Sequence, residues 1–210
     1  MIKGVKICGV SDFKTLNYLL SHPYPPKFIG FITNYEKSKR FVEFQKLKEL
    51  VDINKKQINF TSVLVSPTNE ILEKIKDLNF DYYQLYDVTP ERTREIKKKY
   101  KIKIISAITV SNFQDVEKYK DYSEISDIIL FDGKGYHKSE SFDHSLLKDV
   151  PDSLNKMIAG DIQIENIVNL KGSNYMIDIS GALEDENGKK DLKKIDKLLN
   201  IVNLNMKKHD

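Results

Sequence analysis

The stretch Val5-Lys6-Ile7-Cys8-Gly9-Val10 has the composition of an apolar β-strand that ends at a cysteine and a glycine. In enzymes built of alternating strands and helices, the C-terminal ends of the strands carry the catalytic residues. Cys8 is the only cysteine of the chain, and a thiol can act as a base or a nucleophile when nearby positive charge lowers its pKa. A small buried apolar residue is the other interpretation of Cys8, and the rest of the chain has to decide between the two.

Seven more short apolar runs follow this stretch, and segments with helical spacing separate them, such as the one that contains Ile71, Leu72, Ile75 and Leu78. Eight strands alternating with helices in 210 residues predict a parallel, closed (β/α)8 TIM barrel that forms one domain over residues 1–210. The seven runs are residues 28–33, 58–65, 80–86, 102–109, 125–131, 156–159 and 175–179.

Capping residues mark the starts of several predicted helices. Aspartate, serine, threonine or asparagine side chains follow five of the apolar runs, and the last of these, Asp161, predicts a helix over residues 162–170. The other four signals are at residues 11–12, 66–69, 89–91 and 111–112. These signals support the predicted alternation of strands and helices along the chain.

Composition limits the partners of the protein. The chain has 34 basic and 31 acidic residues, and its lysines are scattered instead of clustering with aromatic residues, so we expect no nucleic-acid partner. No apolar run approaches the length of a membrane span, and a single cysteine forms no intramolecular disulfide. We therefore expect a cytoplasmic protein without a membrane partner.

Two aspartates are candidates for acid chemistry. Asp132 ends the sixth apolar run, which places it across a closed barrel from the first strands, and apolar surroundings would raise its pKa towards that of a general acid. Asp178 lies inside the eighth run, where a substrate contact and structural hydrogen bonding to the backbone are both open.

Glycine and arginine placement suggests how a substrate is held. Gly160-Asp161 and Ser180-Gly181 follow the seventh and eighth runs, where this fold often binds phosphate. Lysine outnumbers arginine 31 to 3, yet position 40, after the second run, keeps an arginine. Its planar guanidinium can clamp a carboxylate or stack on a ring.

Motifs for other chemistries are missing from the sequence. It contains no CxxC or HExxH metal motif, no GxxxxGK[ST] nucleotide loop and no GxSxG nucleophile elbow. We therefore expect acid/base chemistry with no metal and no organic cofactor.

A series of short motifs, taken in order, resembles the phosphoribosylanthranilate isomerase family of tryptophan biosynthesis. The most specific are KICG at residues 6–9, Arg40 after the second strand, and residues 181–191, which are similar to the family's S-G-V-E…P-G-x-K-D. Further matches lie at residues 30–31, 84–85, 130–132, 142–143, 159–160 and 178–181. The resemblance spans nearly the whole chain, and the order and spacing of the motifs carry it.

This resemblance implies an Amadori rearrangement of phosphoribosylanthranilate to carboxyphenylamino-deoxyribulose phosphate, with no cofactor. Asp132 would protonate the furanose ring oxygen, and Cys8 would remove the proton from C2 of the resulting Schiff base. Arg40 would hold the anthranilate. The phosphate would be held by backbone near Gly160, Asp161, Ser180 and Gly181. The partner would be this small phosphorylated substrate, and the chain would be a monomer or a homodimer.

Several positions depart from the family pattern. The family's Gly-Gly-Thr-Gly after strand six is Gly133-Lys134-Gly135-Tyr136 here, its second glycine after strand seven is Asp161, and the histidine that often follows Gln-Leu is Tyr86. Two alternatives therefore stay open. One is a catalytically weakened or silent phosphate-binding barrel, and the other is the related aminoaldose isomerase of histidine biosynthesis, whose two similar halves are not found in this sequence.

Overall fold

Eight parallel strands close a barrel in a computed structural model, which describes residues 2–133, 141–169 and 174–207. They pair in chain order, and the last strand pairs with the first. This arrangement confirms the predicted TIM barrel, while the extent of a single domain over residues 1–210 stays a prediction. The strands are Ile2–Cys8 (β1), Phe28–Ile32 (β2), Asn59–Val65 (β3), Tyr82–Tyr86 (β4), Lys103–Val110 (β5), Ile128–Gly133 (β6), Lys156–Ile158 (β7) and Tyr175–Ile179 (β8).

Helices connect most of the strands, and the predicted caps are present at four of them. The side chains of Asp12, Thr68, Thr89 and Asn112 each accept a hydrogen bond from a backbone N–H of the first helical turn. Among the described residues, no helix combines the length and apolar content needed to cross a bilayer. The α-helices are Phe13–Ser21 (α1), Phe44–Val51 (α2), Asn69–Ile75 (α3), Pro90–Tyr100 (α4), Phe113–Glu117 (α5), Tyr119–Tyr122 (α6) and Leu192–Lys207 (α7).

The helix predicted over residues 162–170 is wrong in type and extent. A short 3-10 helix, Ile164–Asn169, follows β7 instead, and residue 170 lies outside the described part of the chain. Asp161 takes a left-handed φ of 46°, and its carboxylate accepts a hydrogen bond from the Gln163 side chain. A residue that caps an α-helix has extended backbone and accepts from a backbone N–H, so Asp161 does not act as a cap.

Side chains alternate along each strand between the barrel interior and the helices. In β6, Leu130 belongs to the core inside the barrel, whereas Phe131 points outwards and contacts the Tyr119 ring at 6.5 Å between centroids. The next residue, Asp132, returns to the interior and is 6% exposed. The same period of two brings polar residues of β1, β4 and β8 into the barrel. They are Lys6, Cys8, Gln84, Tyr86 and Asp178.

Strand register aligns these inward residues. In the parallel pair of β1 and β8, Lys6 lies beside Asp178, and in the pair of β1 and β2, Cys8 lies beside Gly30. Ser180, just after β8, donates a hydrogen bond from Oγ to the Cys8 carbonyl oxygen at 2.9 Å. The ends of β1, β2 and β8 are therefore fixed relative to one another by backbone geometry.

Candidate active site

One cavity of about 530 Å³ opens at the C-terminal ends of the strands. Its volume lies within the range that holds small-molecule ligands. All eight site residues predicted from the sequence line this cavity, although they come from β1, β6, β8 and the loops after β2, β7 and β8. The structure thus brings them together, and their chemical roles stay predictions.

Cys8 lies at the end of β1 with its side chain turned into the barrel, and it is 8% exposed. Burial raises the pKa of the thiol above its ordinary value, the Lys6 ammonium acts in the opposite direction, and the Asp178 carboxylate adds to the rise. The resting side chain is therefore a protonated thiol whose ionisation the Lys6 charge favours. Ionisation of that thiol would give a strong base in a buried site.

Lys6 is fully buried two residues before the cysteine, and its Nζ lies 2.6 Å from Asp178 Oδ2. Burial alone would lower the pKa of this ammonium, but Asp178 and Cys8 outweigh burial and raise it. Lys6 is thus a cation at neutral pH. Its charge acts both on the Asp178 carboxylate and on the Cys8 thiol, whose pKa it lowers.

Asp132 sits on the other side of the cavity, at the end of β6. Burial raises the pKa of its carboxyl to about 7, against a hydrogen bond from Tyr86 that lowers it. The Tyr86 hydroxyl donates to Asp132 Oδ2 at 2.7 Å, and the pKa of Tyr86 is itself raised well above its ordinary value by burial. The carboxyl is consequently held in one orientation and is partly protonated at neutral pH, as a general acid requires.

Two buried oxygen atoms that face the cavity have no hydrogen-bond partner among the described residues. They are Asp178 Oδ1 and Gln84 Oε1, and both residues line the cavity. Gln84 donates through Nε2 to the Tyr86 hydroxyl at 3.3 Å, which orients its amide. Buried polar atoms normally have a partner, so these two acceptors suit hydroxyl groups of a bound ligand.

Arg40 extends from the loop after β2 across the mouth of the barrel. Its Nε and Nη2 both bind the Glu184 carboxylate, with Nη2 at 2.8 Å from Oε2. Glu184 also accepts from the buried Lys190 at 2.9 Å. The Arg40 stem lies against Gly9, whose φ of 76° suits glycine and where a Cβ would overlap that stem. A guanidinium has five N–H donors, so the two bonds to Glu184 leave further N–H groups of Arg40 for a ligand.

The rim beyond β7 and β8 is more open than the barrel interior. Gly160 has a φ of 93° and Asp161 a φ of 46°, and both line the cavity with Ser180 and Gly181. Asp161 is exposed and places a carboxylate at this rim. Lys194 of α7 also lines the cavity, and its Nζ donates to the Glu184 carbonyl oxygen at 2.5 Å.

Sequence reasoning missed the contributions of Lys6, Gln84 and Tyr86. A lysine and a glutamine inside otherwise apolar strands were the available signal, because such residues rarely lie in a barrel interior without a function or a partner. Of the residues after β6 that depart from the family pattern, positions 134–136 lie outside the described residues. Within the described residues, no group of three side chains has the arrangement of a metal site.

Comparison with protein families gives one match over most of the chain. Residues 5–201 match the family described as N-(5'-phosphoribosyl)anthranilate (PRA) isomerase. The chain is 31% identical to the N-(5'-phosphoribosyl)anthranilate isomerase of Rhizobium rhizogenes, over 96% of this chain and 95% of that protein. It is also 31% identical to the enzyme of the same name from Zymomonas mobilis subsp. pomaceae, over 95% and 97% of the two chains.

Solved structures agree with these matches. The phosphoribosyl anthranilate isomerase of Thermotoga maritima superposes with a TM-score of 0.81 at 26% identity, over 95% of this chain and 97% of that one. A structure of such an enzyme in complex with reduced 1-(o-carboxyphenylamino)-1-deoxyribulose 5-phosphate has a TM-score of 0.78 at 25% identity, with the same coverage. The structure of monomers generated from the dimeric T. maritima protein has a TM-score of 0.79 at 25% identity, over 95% of this chain and 97% of that one.

Proposed function

The chain belongs to the N-(5'-phosphoribosyl)anthranilate isomerase family, and from this premise we propose that the cavity at the C-terminal end of its barrel performs the reaction with Cys8 as base and Asp132 as acid. The protein is an isomerase of tryptophan biosynthesis. Neither alternative, a silent barrel or an aminoaldose isomerase of histidine biosynthesis, is favoured by these matches. The roles of individual residues below are part of the proposal.

The first step is the opening of the sugar ring. Asp132 donates its proton to the furanose ring oxygen while the C1–O bond breaks and the nitrogen lone pair forms the Schiff base. A carboxyl with a pKa of about 7 carries a proton in a useful fraction of molecules and still releases it readily. The Tyr86 hydroxyl then stabilises the carboxylate that forms, because it already donates to Oδ2.

The second step is the removal of the hydrogen at C2. The positively charged Schiff base acidifies this carbon, and the Cys8 thiolate takes the proton to give an enolamine, which tautomerises to the ketone. Cys8 and Asp132 come from strands on different sides of one cavity. A sugar bound between them exposes its ring oxygen to one group and its C2 hydrogen to the other.

The free acceptors suit the sugar hydroxyls. Asp178 Oδ1 and Gln84 Oε1 are buried, line the cavity and have no partner among the described residues. Hydrogen bonds from the sugar hydroxyls would satisfy them and fix the sugar between acid and base. Asp178 would then bind substrate with one oxygen and Lys6 with the other.

Arg40 is the proposed contact for anthranilate. Glu184 occupies Nε and Nη2 and so orients the guanidinium, whose other donors and face remain for the carboxylate or the ring. The phosphate is assigned to the rim formed by Gly160, Asp161, Ser180 and Gly181, where Lys194 adds positive charge. A cytoplasmic monomer or homodimer belongs to the same proposal, and light scattering on the purified protein distinguishes the two oligomeric states.

One observation carries this proposal: a buried carboxyl with a pKa of about 7 and a buried thiol beside a lysine line the same cavity. The test is to add purified protein to freshly generated phosphoribosylanthranilate and follow the loss of substrate fluorescence. We expect rapid loss with the wild-type protein and loss slower by roughly a hundredfold or more with Cys8→Ser and with Asp132→Asn. A wild-type protein that does not accelerate the loss would contradict the proposed function.

A further inference from the structure

Lys6 is a buried charged group that the two proposed steps do not use. Its side chain is 0% exposed, its Nζ lies 2.6 Å from Asp178 Oδ2, and both Nζ and Cys8 Sγ lie beside Gly30 of the neighbouring strand. Lysine is almost never fully buried unless it is paired. The carboxylate alone provides that pairing, so the placement of the ammonium on the same side of the strand as the thiol needs a second explanation.

We propose that Lys6 is a positioning residue whose ammonium stabilises the thiolate form of Cys8 and holds the sulfur towards the cavity. This inference rests on the proposed role of Cys8 as the base. The neighbouring strand supports it, because a Cβ at Gly30 would lie 2.9 Å from Cys8 Sγ and 3.1 Å from Lys6 Nζ. Glycine at this position leaves the space in which the two groups meet.

The need for a countercharge follows from the protonation states of the reaction. Asp132 must carry a proton although its pKa is about 7, and Cys8 must be ionised although burial raises the pKa of its thiol. The fraction of molecules with both states falls roughly tenfold for each unit by which the pKa of the thiol exceeds that of the carboxyl. A cation near the sulfur lowers the pKa of the thiol and so brings it closer to that of the carboxyl. A larger fraction of molecules then has both protonation states that the reaction needs.

Charged groups face the sulfur from several elements. Lys6 and Lys190 lower the pKa of the thiol, whereas Asp178 of β8 raises it. Arg40, from the loop after β2, and Tyr86 of β4 also interact electrostatically with the thiolate. Of the cations, Lys6 has the largest effect on the pKa of the thiol, so it is the residue to test.

The test exploits the single cysteine of the chain, because alkylation by iodoacetamide reports on the Cys8 thiolate alone. The pH dependence of the alkylation rate gives the pKa of the thiol. How easily iodoacetamide reaches the sulfur changes only the maximum rate at high pH. Lys6→Met alone would leave Asp178 as an unpaired buried carboxylate and could unfold the protein. The informative variants are therefore Asp178→Asn and the double variant Lys6→Met with Asp178→Asn.

The two variants should move the thiol pKa in opposite directions. Asp178→Asn removes the negative charge that raises the thiol pKa and keeps the Lys6 charge that lowers it, so the pKa of the Cys8 thiol should fall below that of wild type. The double variant removes both charges, and its pKa should rise above wild type, with alkylation at neutral pH slower by roughly tenfold per unit. The control is Lys156→Met, which should leave the pKa of the Cys8 thiol unchanged. This lysine is also buried, but it donates to the carbonyl oxygens of Val150 and Pro151.

Failure of this inference is distinguishable from failure of the proposed function. If folded Cys8→Ser isomerises substrate at the wild-type rate, the base role is wrong whatever the alkylation pKa. If Cys8→Ser is inactive but the double variant alkylates with the wild-type pKa or a lower one, Lys6 does not stabilise the thiolate and the inference is overturned. The expected order of thiol pKa, from lowest to highest, is Asp178→Asn, wild type and the double variant.

Discussion

The barrel interior and the rim beyond β7 place their functional residues by different means. In the interior, Cys8, Asp132 and Asp178 are buried strand residues whose positions follow from strand register. At the rim, Gly160 and Asp161 take left-handed conformations in a loop, and Asp161 is exposed. Substitutions of Cys8 and Asp132 should therefore change mainly kcat, whereas substitutions at the rim should change mainly KM.

Cys8→Ser should cause the largest loss and sharpen this contrast. A hydroxyl is much less acidic than a thiol, so the base is lost and kcat should fall by roughly 10²- to 10⁴-fold. KM should change little, because the substrate contacts remain. Steady-state kinetics on the fluorescent substrate, with circular dichroism to confirm folding, measures both values. Near-normal kcat in a folded variant would remove Cys8 from the mechanism.

Asp132→Asn should lower kcat by about a hundredfold or more. The amide keeps the shape of the carboxyl and can still accept from Tyr86, but it has no acidic proton to give. Binding of a non-reactive product analogue, measured by calorimetry, should persist. Loss of that binding with an unchanged rate for bound substrate would make Asp132 a binding residue instead.

The same variant should also be more stable than wild type in alkaline solution. Folding raises the pKa of Asp132 to about 7 from roughly 3.9 in an unfolded chain, so the folded state binds the proton more tightly. This group therefore costs no stability below pH 4, and its cost grows as the pH rises to about 7. Asp132→Asn removes a cost on the order of a few kcal/mol at pH 8. Thermal unfolding of both proteins at pH 4 and pH 8 tests the difference, which should vanish at the lower pH.

Arg40→Lys should have an intermediate effect. Lysine can neither form the two-pronged contact with Glu184 nor stack its charge on a ring, and losing one charge-assisted contact is worth about 1.5–3 kcal/mol. We expect kcat/KM to fall by roughly tenfold or more. Arg94→Lys is the matched control, because this arginine is exposed on α4. Equal kinetics for the two variants would show that Arg40 is ordinary loop surface.

Asp161→Gly should have the smallest effect and act on KM. An exposed carboxylate near a bound phosphate should cost roughly 0.2–1 kcal/mol, so its removal should lower KM by roughly 1.4- to fivefold. Glycine also tolerates the left-handed backbone of this position. Asp161→Asn should reproduce the change, since asparagine removes the charge and keeps the size. A large change in kcat with constant KM would contradict the separation between rim and interior.

The sequence was sufficient for the barrel and for placing eight residues around one cavity, while their roles in a site stay predictions. Alternating apolar strands specify the fold, and their C-terminal ends specify the face of the site. The ion pair of Lys6 with Asp178 could not be predicted in the same way, because it depends on the register between β1 and β8 and joins positions 172 residues apart.

The loops were harder to predict than the strands. Asp161 resembled a helix cap in the sequence, but its carboxylate accepts from a side chain and its backbone is left-handed. The bond between Arg40 and Glu184 joins positions 144 residues apart, and no local pattern reports such a pairing. Local preference thus predicts where elements start, while long-range contacts decide how the rim is arranged.

The most direct test of the acid and base assignment is the pH profile of kcat/KM, compared with the alkylation profile of Cys8. Activity needs protonated Asp132 and ionised Cys8, and the pKa of the acid, about 7, lies below that of the base, which burial raises. We expect kcat/KM to rise up to about pH 7, stay level, and fall above the pKa of the thiol. The break near pH 7, which belongs to Asp132, should be absent from the alkylation profile. The break at higher pH, which belongs to Cys8, should occur at the same pH in both profiles. Alkylation that titrates with the lower break would contradict this assignment.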